Sequence, residues 1–457
     1  MKHTDIADIL SGKISAGKEV TVCGWVRTAR DSKNMAFLEI NDGTSLKHLQ
    51  IVIDKNVIKN NDFMHLGCGV KVCGVLVESP NIAGSPEINA SEITLLGDCP
   101  ADYPLQKKRC SMEFLRSIPA LRVRTNMFNA VFRVRSVVSA CIHEFFQKRH
   151  FVYVHTPIIT ASDCEGAGEV FKVTTIGYNP AFKSEVEYYK NDFFGQKAGL
   201  SVSGQLEGEV AAMGLGKIYT FGPSFRAENS NTPRHAAEFW HIEPEVAFAE
   251  LPDIIEIAED LIKHIINTCL SDCAAELAFF DKFVENGLID KLKDVVSHQF
   301  GIVEYTDAIE ILKKAEVKFV YPVEWGEDIQ TEHEKYLTEQ VFKKPVFVIN
   351  YPKKIKSFYM KQNDDGRTVA ATDLLVPGVG EIIGCSQREA DLTKLLNAMK
   401  EKNMTTAEYE DYISLRKFGS VPHSGFGLGL ERILMYVTGV SNIRDVILYP
   451  RTAGDIR

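Results

Sequence analysis

Residues 221–245 read FGPSFRAENSNTPRHAAEFWHIEPE, and this stretch predicts a strand, a polar loop and a second strand. Because side chains alternate across a strand, Arg226 and Glu228 are expected on one face of the first strand. One face of the second strand carries aromatic, imidazole and carboxylate side chains: Phe239, His241, Glu243 and Glu245. Such a surface suits an anionic, aromatic ligand, for which a nucleotide is the obvious candidate. Taken alone, the pattern also fits a hairpin with a solvated polar face.

Length and composition set the class of protein. A chain of 457 residues predicts two or three domains, and its 45% hydrophobic and 25% charged residues are typical of a globular protein. No apolar run reaches the roughly 18–20 residues that cross a bilayer, and residues 1–10 do not resemble a signal peptide. We therefore expect a cytoplasmic protein without a membrane segment. Ten scattered cysteines predict reduced thiols rather than a zinc site.

The charge is unevenly distributed along the chain. The net charge of −9 argues against a nucleic-acid partner. Residues 101–150, however, contain ten lysines and arginines against three acidic residues, a local excess of seven positive charges. This block predicts either a surface that binds the phosphate backbone of a nucleic acid or a set of solvated helix faces.

Residues 19–96 predict a small barrel, because short alternating segments are separated by turns. The apolar phase of the first three segments points inward: Val20, Val22, Val26, Ala36, Leu38, Ile40, Leu49, Ile51 and Ile53. Phe37 and Gln50 then point outward. An aromatic ring beside an amide could stack on and read a nucleic-acid base, a stack being worth about 1–3 kcal/mol. An isolated surface phenylalanine is the alternative.

The remainder of the chain mixes helices with strands. Beyond a proline-containing linker, apolar residues recur at helical spacing up to about residue 148, and a strand at 151–156 runs into Pro157, which suits an interface or a sheet edge. We expect loops and strands over 158–217, mainly helices over 251–318 and a strand at 356–361. Regular alternation of strand and helix is absent, which favours an antiparallel α+β domain.

A second group of residues is suited to binding a nucleoside triphosphate. No Walker loop is present, but the glycine-rich segment GFGLG at 425–429 can lie close to a flat base, and Arg432 follows it at a predicted helix start. Asp373 and Glu381 are hard carboxylates suited to Mg²⁺, the usual companion of a triphosphate.

With these residues in view, the chain resembles the class II aminoacyl-tRNA synthetases of the aspartyl, asparaginyl and lysyl subgroup. The segments FRAEN…RHAAEFWHIEPE and GFGLGLERI resemble motifs 2 and 3, and the helix and strand ending at Pro157 resemble motif 1. The resemblance implies an all-β OB-fold anticodon-binding domain at 1–100, a basic hinge at 101–118, and an α+β catalytic domain with an antiparallel sheet at 119–457. It also implies a homodimer formed through the element at 126–157.

The same resemblance implies roles at an ATP site. Arg226 would bind the α-phosphate and stabilise charge as the amino-acid carboxylate attacks, which makes it catalytic together with Arg432. Arg432 would hold the γ-phosphate on the other side of an adenine that stacks on Phe239. Further ATP contacts would come from Glu228, His235, Glu381 and Gly429. Asp373 and Glu381 would hold Mg²⁺.

The resemblance also implies an amino-acid site and an anticodon surface. The α-amino group would be held by Glu165, Ser203 and Gln205, and the anticodon would be bound by Arg30, Phe37 and Gln50. Arg388 would read the side-chain oxygen of the substrate. Gly208 stands where aspartyl enzymes have a lysine, so Glu243 is expected to be free to accept a hydrogen bond from a substrate amide.

L-asparagine, ATP and tRNA(Asn) are therefore the substrates that the resemblance implies. Three alternatives remain open at this point. Glu243 could instead be a structural partner of a nearby arginine. The chain could be a non-discriminating aspartyl enzyme, or a catalytically silent nucleic-acid-binding paralogue.

Overall fold

The structure is a computed structural model that describes residues 3–80, 84–108, 110–162, 164, 170–177, 182 and 184–456. The chain forms two compact units, Met1–Phe132 and Arg133–Arg457. The domain bounds expected from the sequence stay predictions.

The first unit contains the predicted barrel. After α1 (Ile6–Leu10), the strands are β1 (Glu19–Asp31), β2 (Met35–Asn41), β3 (Leu49–Asp54), β4 (Gly69–Glu78) and β5 (Pro86–Gly97). They close in the order β1-β2-β3-β5-β4, with β3 and β5 parallel and the other pairs antiparallel. All nine apolar residues that were expected to point inward are buried, because β-branched and aliphatic side chains on one phase of each strand fill the interior.

Three helices follow the barrel: α2 (Met112–Ser117), α3 (Pro119–Arg122) and α4 (Asn126–Lys148). The predicted long helix is therefore confirmed. Much of the basic block is tied to its own neighbours: Arg122 stacks on Phe128, Arg133 pairs with Glu276, Arg135 with Glu431, Lys148 with Glu144, and Arg149 with Asp260. These five cations have structural partners within the protein, and the prediction of a surface that binds a phosphate backbone stays a prediction.

The second unit is built on a large mixed sheet. Its strands are β6 (Val152–Tyr153), β10 (Lys217–Phe225), β11 (Glu238–Ala247), β12 (Gly301–Glu304), β13 (Val346–Ile349), β14 (Ala371–Val376), β15 (Gly380–Gln387) and β16 (His423–Gly429). A small three-stranded sheet contains β7 (Ile159–Thr160), β8 (Lys172–Val173) and β9 (Ala198–Leu200). The large sheet has the order β12-β13-β14-β15-β16-β11-β10-β6, and its six inner strands are antiparallel, as predicted. The two outer strands pair in parallel with their neighbours.

Helices cover this sheet and connect its strands. They are α5 (Glu185–Lys190), α6 (Gln205–Leu215), α7 (Leu251–Asp272), α8 (Ala274–Phe283), α9 (Leu288–Ser297), α10 (Tyr305–Lys313), α11 (Thr331–Lys335), α12 (Leu392–Glu401), α13 (Glu410–Ser414) and α14 (Leu430–Thr438). A π-helical turn, Tyr336–Val341, continues α11. In the part of the chain that the structure describes, no helix combines the length and apolar character needed to span a membrane.

Three local predictions differ from the structure. The strand expected at 151–156 is only the two residues of β6. Residues 205–215, expected among loops and strands, form α6, which packs on β10 and β11. The strand expected at 356–361 is absent: this described segment makes only an isolated bridge at Met360.

Candidate active site

The predicted hairpin lies at the centre of the large sheet. β10 and β11 pair from Lys217↔Val246 to Phe225↔Glu238, and β11 also pairs with β16. Arg226 lies just past the end of β10, where its backbone N–H donates to Ala237 O at 2.9 Å. The hairpin loop therefore starts at Arg226, one residue after the strand ends, instead of continuing the strand as the alternation suggested.

A pocket opens where this loop meets β15, β16 and α14. It contains about 700 Å³ of empty space, part of which is open to solvent. All seven residues predicted for the ATP site line it: Arg226, Glu228, His235, Phe239, Glu381, Gly429 and Arg432. These residues come from three separate stretches of the chain, and the fold brings them into one cavity.

Two arginines are held at the pocket by different contacts. The guanidinium carbon of Arg226 lies 5.5 Å from the centre of the Phe239 ring, a distance typical of a cation–π contact. Arg432, in the first turn of α14, donates from Nη1 to the carbonyl oxygen of Glu381 at 2.8 Å and to its Oε2 at 3.3 Å. The pocket thus presents an aromatic face together with two fixed positive charges, which matches adenine and phosphates.

The two predicted metal ligands lie on neighbouring strands. Around Gly384, the position that a Cβ would occupy is 3.3 Å from Glu381 Oε1 and 3.8 Å from Asp373 Oδ1, so both carboxylates reach the same place. Asp373 Oδ2 accepts a hydrogen bond from Lys356 Nζ at 2.6 Å. This pair of hard oxygen donors fits Mg²⁺ when triphosphate oxygens supply further ligands. Among the described residues, no group of three or more potential protein ligands surrounds a single point.

Nearby charges set the ionisation of these carboxylates. Burial raises the pKa of Glu381, but the positive charges of Arg432, Lys356 and Arg226 outweigh it, so the pKa lies below its ordinary value. Burial raises the pKa of Asp373 and the neighbouring Glu381 adds to the rise, although Lys356 opposes it. The arginines therefore keep Glu381 ready to bind a cation.

Arg234 connects the hairpin loop to α11 and to the turn between β14 and β15. Its Nη1 donates to Glu334 Oε2 at 3.1 Å and also to the carbonyl oxygen of Val379. Next to it, His235 Nδ1 lies 3.1 Å from Ser230 Oγ. Burial, reinforced by Arg432, lowers the pKa of His235, so this imidazole is neutral at pH 7. The sequence did not single out Arg234, although it stands beside His235 in the same loop.

Glu243 is buried and accepts three hydrogen bonds from protein groups. Its carboxylate accepts hydrogen bonds from Ser203 Oγ, from the Gly204 N–H at 2.8 Å and from Thr220 Oγ1 at 3.1 Å, and His241 Nδ1 lies 3.0 Å from its Oε1. Burial would raise the pKa of Glu243, but His241 and these donors hold it at about 2. A carboxylate has about four acceptor positions. Glu243 is therefore not the free acceptor that the sequence predicted, and it is not an arginine partner either.

The acidic partner of Arg388 is Glu245, two residues further along the same face of β11. Arg388 Nε donates to Glu245 Oε2 at 3.2 Å and Nη2 donates to Oε1, while Nη1 donates to Ser386 Oγ at 2.7 Å. These bonds occupy two of the acceptor positions of Glu245 and three of the five N–H donors of Arg388. Arg388 thus retains N–H donors, and Glu245 beside it retains acceptor positions. Recognition of an amide requires both a donor and an acceptor.

Sequence reasoning missed Glu245 as a site residue, although the alternation on β11 placed it beside Glu243. Gly208, on α6, faces this pair: a Cβ there would lie 3.5 Å from Glu245 Cγ. Ser203 and Gln205 lie at the start of α6, where Gln205 N–H donates to Ser203 Oγ at 3.1 Å. Glu165 lies outside the described residues.

In the first unit, the three predicted anticodon residues share the outer face of the barrel. Arg30 pairs with Phe37 across β1 and β2, and Glu39 pairs with Gln50 across β2 and β3. Gln50 Nε2 donates to Glu87 Oε2 at 2.9 Å, which orients its amide. The face therefore presents a cation, an aromatic ring and an oriented amide together.

Two family models match this chain. Residues 111–453 match the class II tRNA synthetases (D, K and N). Residues 20–96 match the OB-fold nucleic acid binding domain.

Curated relatives match over almost the whole length. The asparagine–tRNA ligase of Acetivibrio thermocellus is 57% identical over 441 residues, covering 95% of this chain and 95% of the relative. That of Nitratidesulfovibrio vulgaris (Hildenborough) is 53% identical over 460 residues, covering 100% of both chains. Among solved structures, the asparaginyl-tRNA synthetase of Pyrococcus horikoshii complexed with asparaginyl-adenylate has a TM-score of 0.87, with 34% identity and 99% coverage of each chain.

Proposed function

The chain belongs to the asparagine–tRNA ligases of the class II tRNA synthetases, and we propose here how its own residues carry out that reaction. The enzyme ligates L-asparagine to tRNA(Asn) at the expense of ATP, through an asparaginyl-adenylate. A carboxylate oxygen of asparagine attacks the α-phosphorus of ATP and pyrophosphate leaves. The 3′-terminal hydroxyl of the tRNA then attacks the adenylate carbonyl, and AMP leaves.

The observation that carries the ATP site is the single pocket lined by all seven predicted residues. Phe239 would stack on adenine and Arg432 would close the other side of the base while contacting the γ-phosphate. Arg226 would hold the α-phosphate and offset the charge that develops during attack. No side chain needs to act as a nucleophile, because positioning and charge neutralisation carry phosphoryl-type transfer.

Asp373 and Glu381 would hold Mg²⁺. When bound, the metal would neutralise charge on the triphosphate and favour departure of pyrophosphate. Lys356, which already contacts Asp373, fixes the orientation of that carboxylate.

The amino-acid pocket is proposed to use Glu165, Ser203, Gln205, Glu243 and Arg388, with Glu245 added. Arg388 would donate to the side-chain oxygen of asparagine, and Glu245 would accept from its NH2 group. Glu243 would hold Ser203 and the start of α6 in place through its hydrogen bonds. A lysine at position 208 would approach Glu245, so its absence leaves that acceptor available.

Three further proposals concern partners and location. Arg30, Phe37 and Gln50 would bind the anticodon of tRNA(Asn). The exposed side chains of Val152 and Tyr153 on the edge of the sheet support a homodimer formed through residues 126–157. We also infer a cytoplasmic location, where aminoacyl-tRNA is used.

The test is ATP–pyrophosphate exchange measured with each of the twenty amino acids. Asparagine should support exchange, and Arg226→Gln should abolish it. Arg367→Gln is the matched control, because Arg367 is exposed and stacks on Trp325 outside the pocket. Exchange with aspartate but not asparagine would instead favour an aspartyl enzyme, and a lack of any amino-acid-dependent exchange would favour a silent paralogue.

A further inference from the structure

A closed network of charged side chains lies directly behind Arg388. Its centre is Glu209, on α6, which is fully buried. Four donors surround the carboxylate: Gln205 Nε2 at 3.0 Å, Tyr412 OH at 3.0 Å, Arg416 Nη2 at 2.7 Å and His423 Nε2 at 3.0 Å. These contacts join α6, α13 with the residues after it, and β16, so Glu209 cannot move without disturbing three elements.

Glu209 also acts on Arg388 itself. Its Oε1 lies 3.8 Å from Arg388 Nε, on the same guanidinium that makes two hydrogen bonds to Glu245. Burial raises the pKa of Glu209, but Arg416, His423 and Arg388 hold it below its ordinary value, so this group is a carboxylate at pH 7. Burial raises the pKa of Glu245 to about 7 against the opposing charge of Arg388, and Glu209 adds to this rise. Arg388 therefore faces the full negative charge of Glu209 beside a Glu245 carboxyl that is partly ionised at pH 7.

We propose that Glu209 is a specificity-determining residue, acting through Arg388 to make the amino-acid pocket favour an amide over a carboxylate. This inference rests on the proposed function, in which Arg388 reads the substrate side chain. An amide oxygen accepts an N–H of Arg388 without adding net charge. An aspartate carboxylate adds a negative charge close to the buried charge of Glu209, which already offsets the arginine, and their repulsion is screened much less than it would be in water.

The first variant is Glu209→Gln, which removes the charge and nearly keeps the shape. We compare the KM for asparagine with the inhibition constant of aspartate against asparagine-dependent pyrophosphate exchange. In Glu209→Gln, the affinity for aspartate relative to the affinity for asparagine should rise about thirtyfold. This is the effect expected for two unit charges roughly 8 Å apart at an effective dielectric constant of about 20.

Three further variants separate charge from structure. Arg416→Gln removes the opposing positive charge. The affinity for aspartate relative to that for asparagine should therefore fall, which is a change opposite in sign to that of Glu209→Gln. Tyr412→Phe removes a neutral hydrogen bond of the same network and should leave the ratio unchanged. Glu276→Gln is the matched control for the first substitution, because Glu276 is also buried and paired with an arginine, Arg133 at 2.7 Å.

The outcomes are distinguishable. If the ratio of the affinity for aspartate to that for asparagine in Glu209→Gln stays within threefold of wild type, the inference is overturned. A shift of this ratio in the same direction in Arg416→Gln, or an equal shift in Tyr412→Phe, also overturns it, because either result would indicate a purely structural role. If Glu209→Gln does not fold, the opposite-sign result in Arg416→Gln with an unchanged Tyr412→Phe supports the inference, and any other pattern rejects it. Absence of asparagine-dependent exchange in wild type would refute the proposed function itself.

Discussion

Adding a single methyl group to Gly425 should damage asparagine binding selectively. A Cβ at this position on β16 would lie 2.3 Å from Glu245 Cδ and Oε1 and 2.4 Å from Oε2. These distances are about 1 Å shorter than ordinary contacts. The carboxylate cannot simply turn away, because Arg388 holds both of its oxygens.

Two kinds of cost bound the free-energy penalty expected for Gly425→Ala. Overpacking a well-filled site costs about 1–3 kcal/mol, and breaking a buried ion pair costs about 3–5 kcal/mol. A value of about 3 kcal/mol is common to both and corresponds to roughly a hundredfold change in an equilibrium. For Gly425→Ala we therefore expect kcat/KM for asparagine to fall by about a hundredfold, while the KM for ATP changes little.

Gly427→Ala is the matched control, two residues along the same face of the same strand. Its Cβ would lie 2.5 Å from His241 Nε2, and both Gly427 and His241 line the nucleotide pocket. This variant should raise the KM for ATP more than that for asparagine. Pyrophosphate exchange, titrated in turn with each substrate, measures both effects, and circular dichroism checks the fold.

A particular result would refute this reasoning. If folded Gly425→Ala keeps kcat/KM for asparagine within threefold of wild type, Glu245 does not contact the substrate side chain. Combining Gly425→Ala with Glu245→Asp, which shortens the acid by one methylene, should recover part of the loss.

Three other variants test separate features of the chain. Phe37→Ala should lower the rate of tRNA charging about tenfold or more, as expected from loss of a stacked base, and leave pyrophosphate exchange intact; equal loss of both would exclude an anticodon role. Glu243→Gln should destabilise the protein at pH 7 by about 3 kcal/mol, because the pKa of Glu243 is lowered from 4.5 to about 2. That stability is present above pH 4.5 and is lost as the pH falls towards 2, so urea unfolding should show the difference from wild type shrinking at pH 3; a pH-independent difference contradicts this. Val152→Asp places a charge on the exposed sheet edge and should shift the species seen in sedimentation from dimer to monomer, whereas an unchanged dimer would place the interface elsewhere.

The sequence predicted the elements whose pattern is local. Alternation of apolar and polar residues identified the barrel strands and the hairpin, since burial on one face requires that period. The segment 205–215 was misassigned because its glycines weaken helical periodicity, while packing of α6 against β10 and β11 stabilises the helix.

Partner choice within the site could not be predicted from the pattern. Alternation placed Glu243 and Glu245 on one face of β11, but their different roles depend on which elements lie above them. Gly204, at the start of α6, reaches Glu243, and Arg388, just past the end of β15, reaches Glu245. These are contacts between distant segments, which only the folded chain determines.

The shortness of β6 restricts how two chains can join at this end of the sheet. Long open edges bind further strands through their backbone and so promote fibre-like growth. β6 has only two residues, so it offers too few backbone groups to template another strand, while Val152 and Tyr153 remain exposed. An association here must be held by side-chain packing, which closes after two copies. Substitutions that alter those side chains should therefore matter far more than changes that block backbone hydrogen bonds.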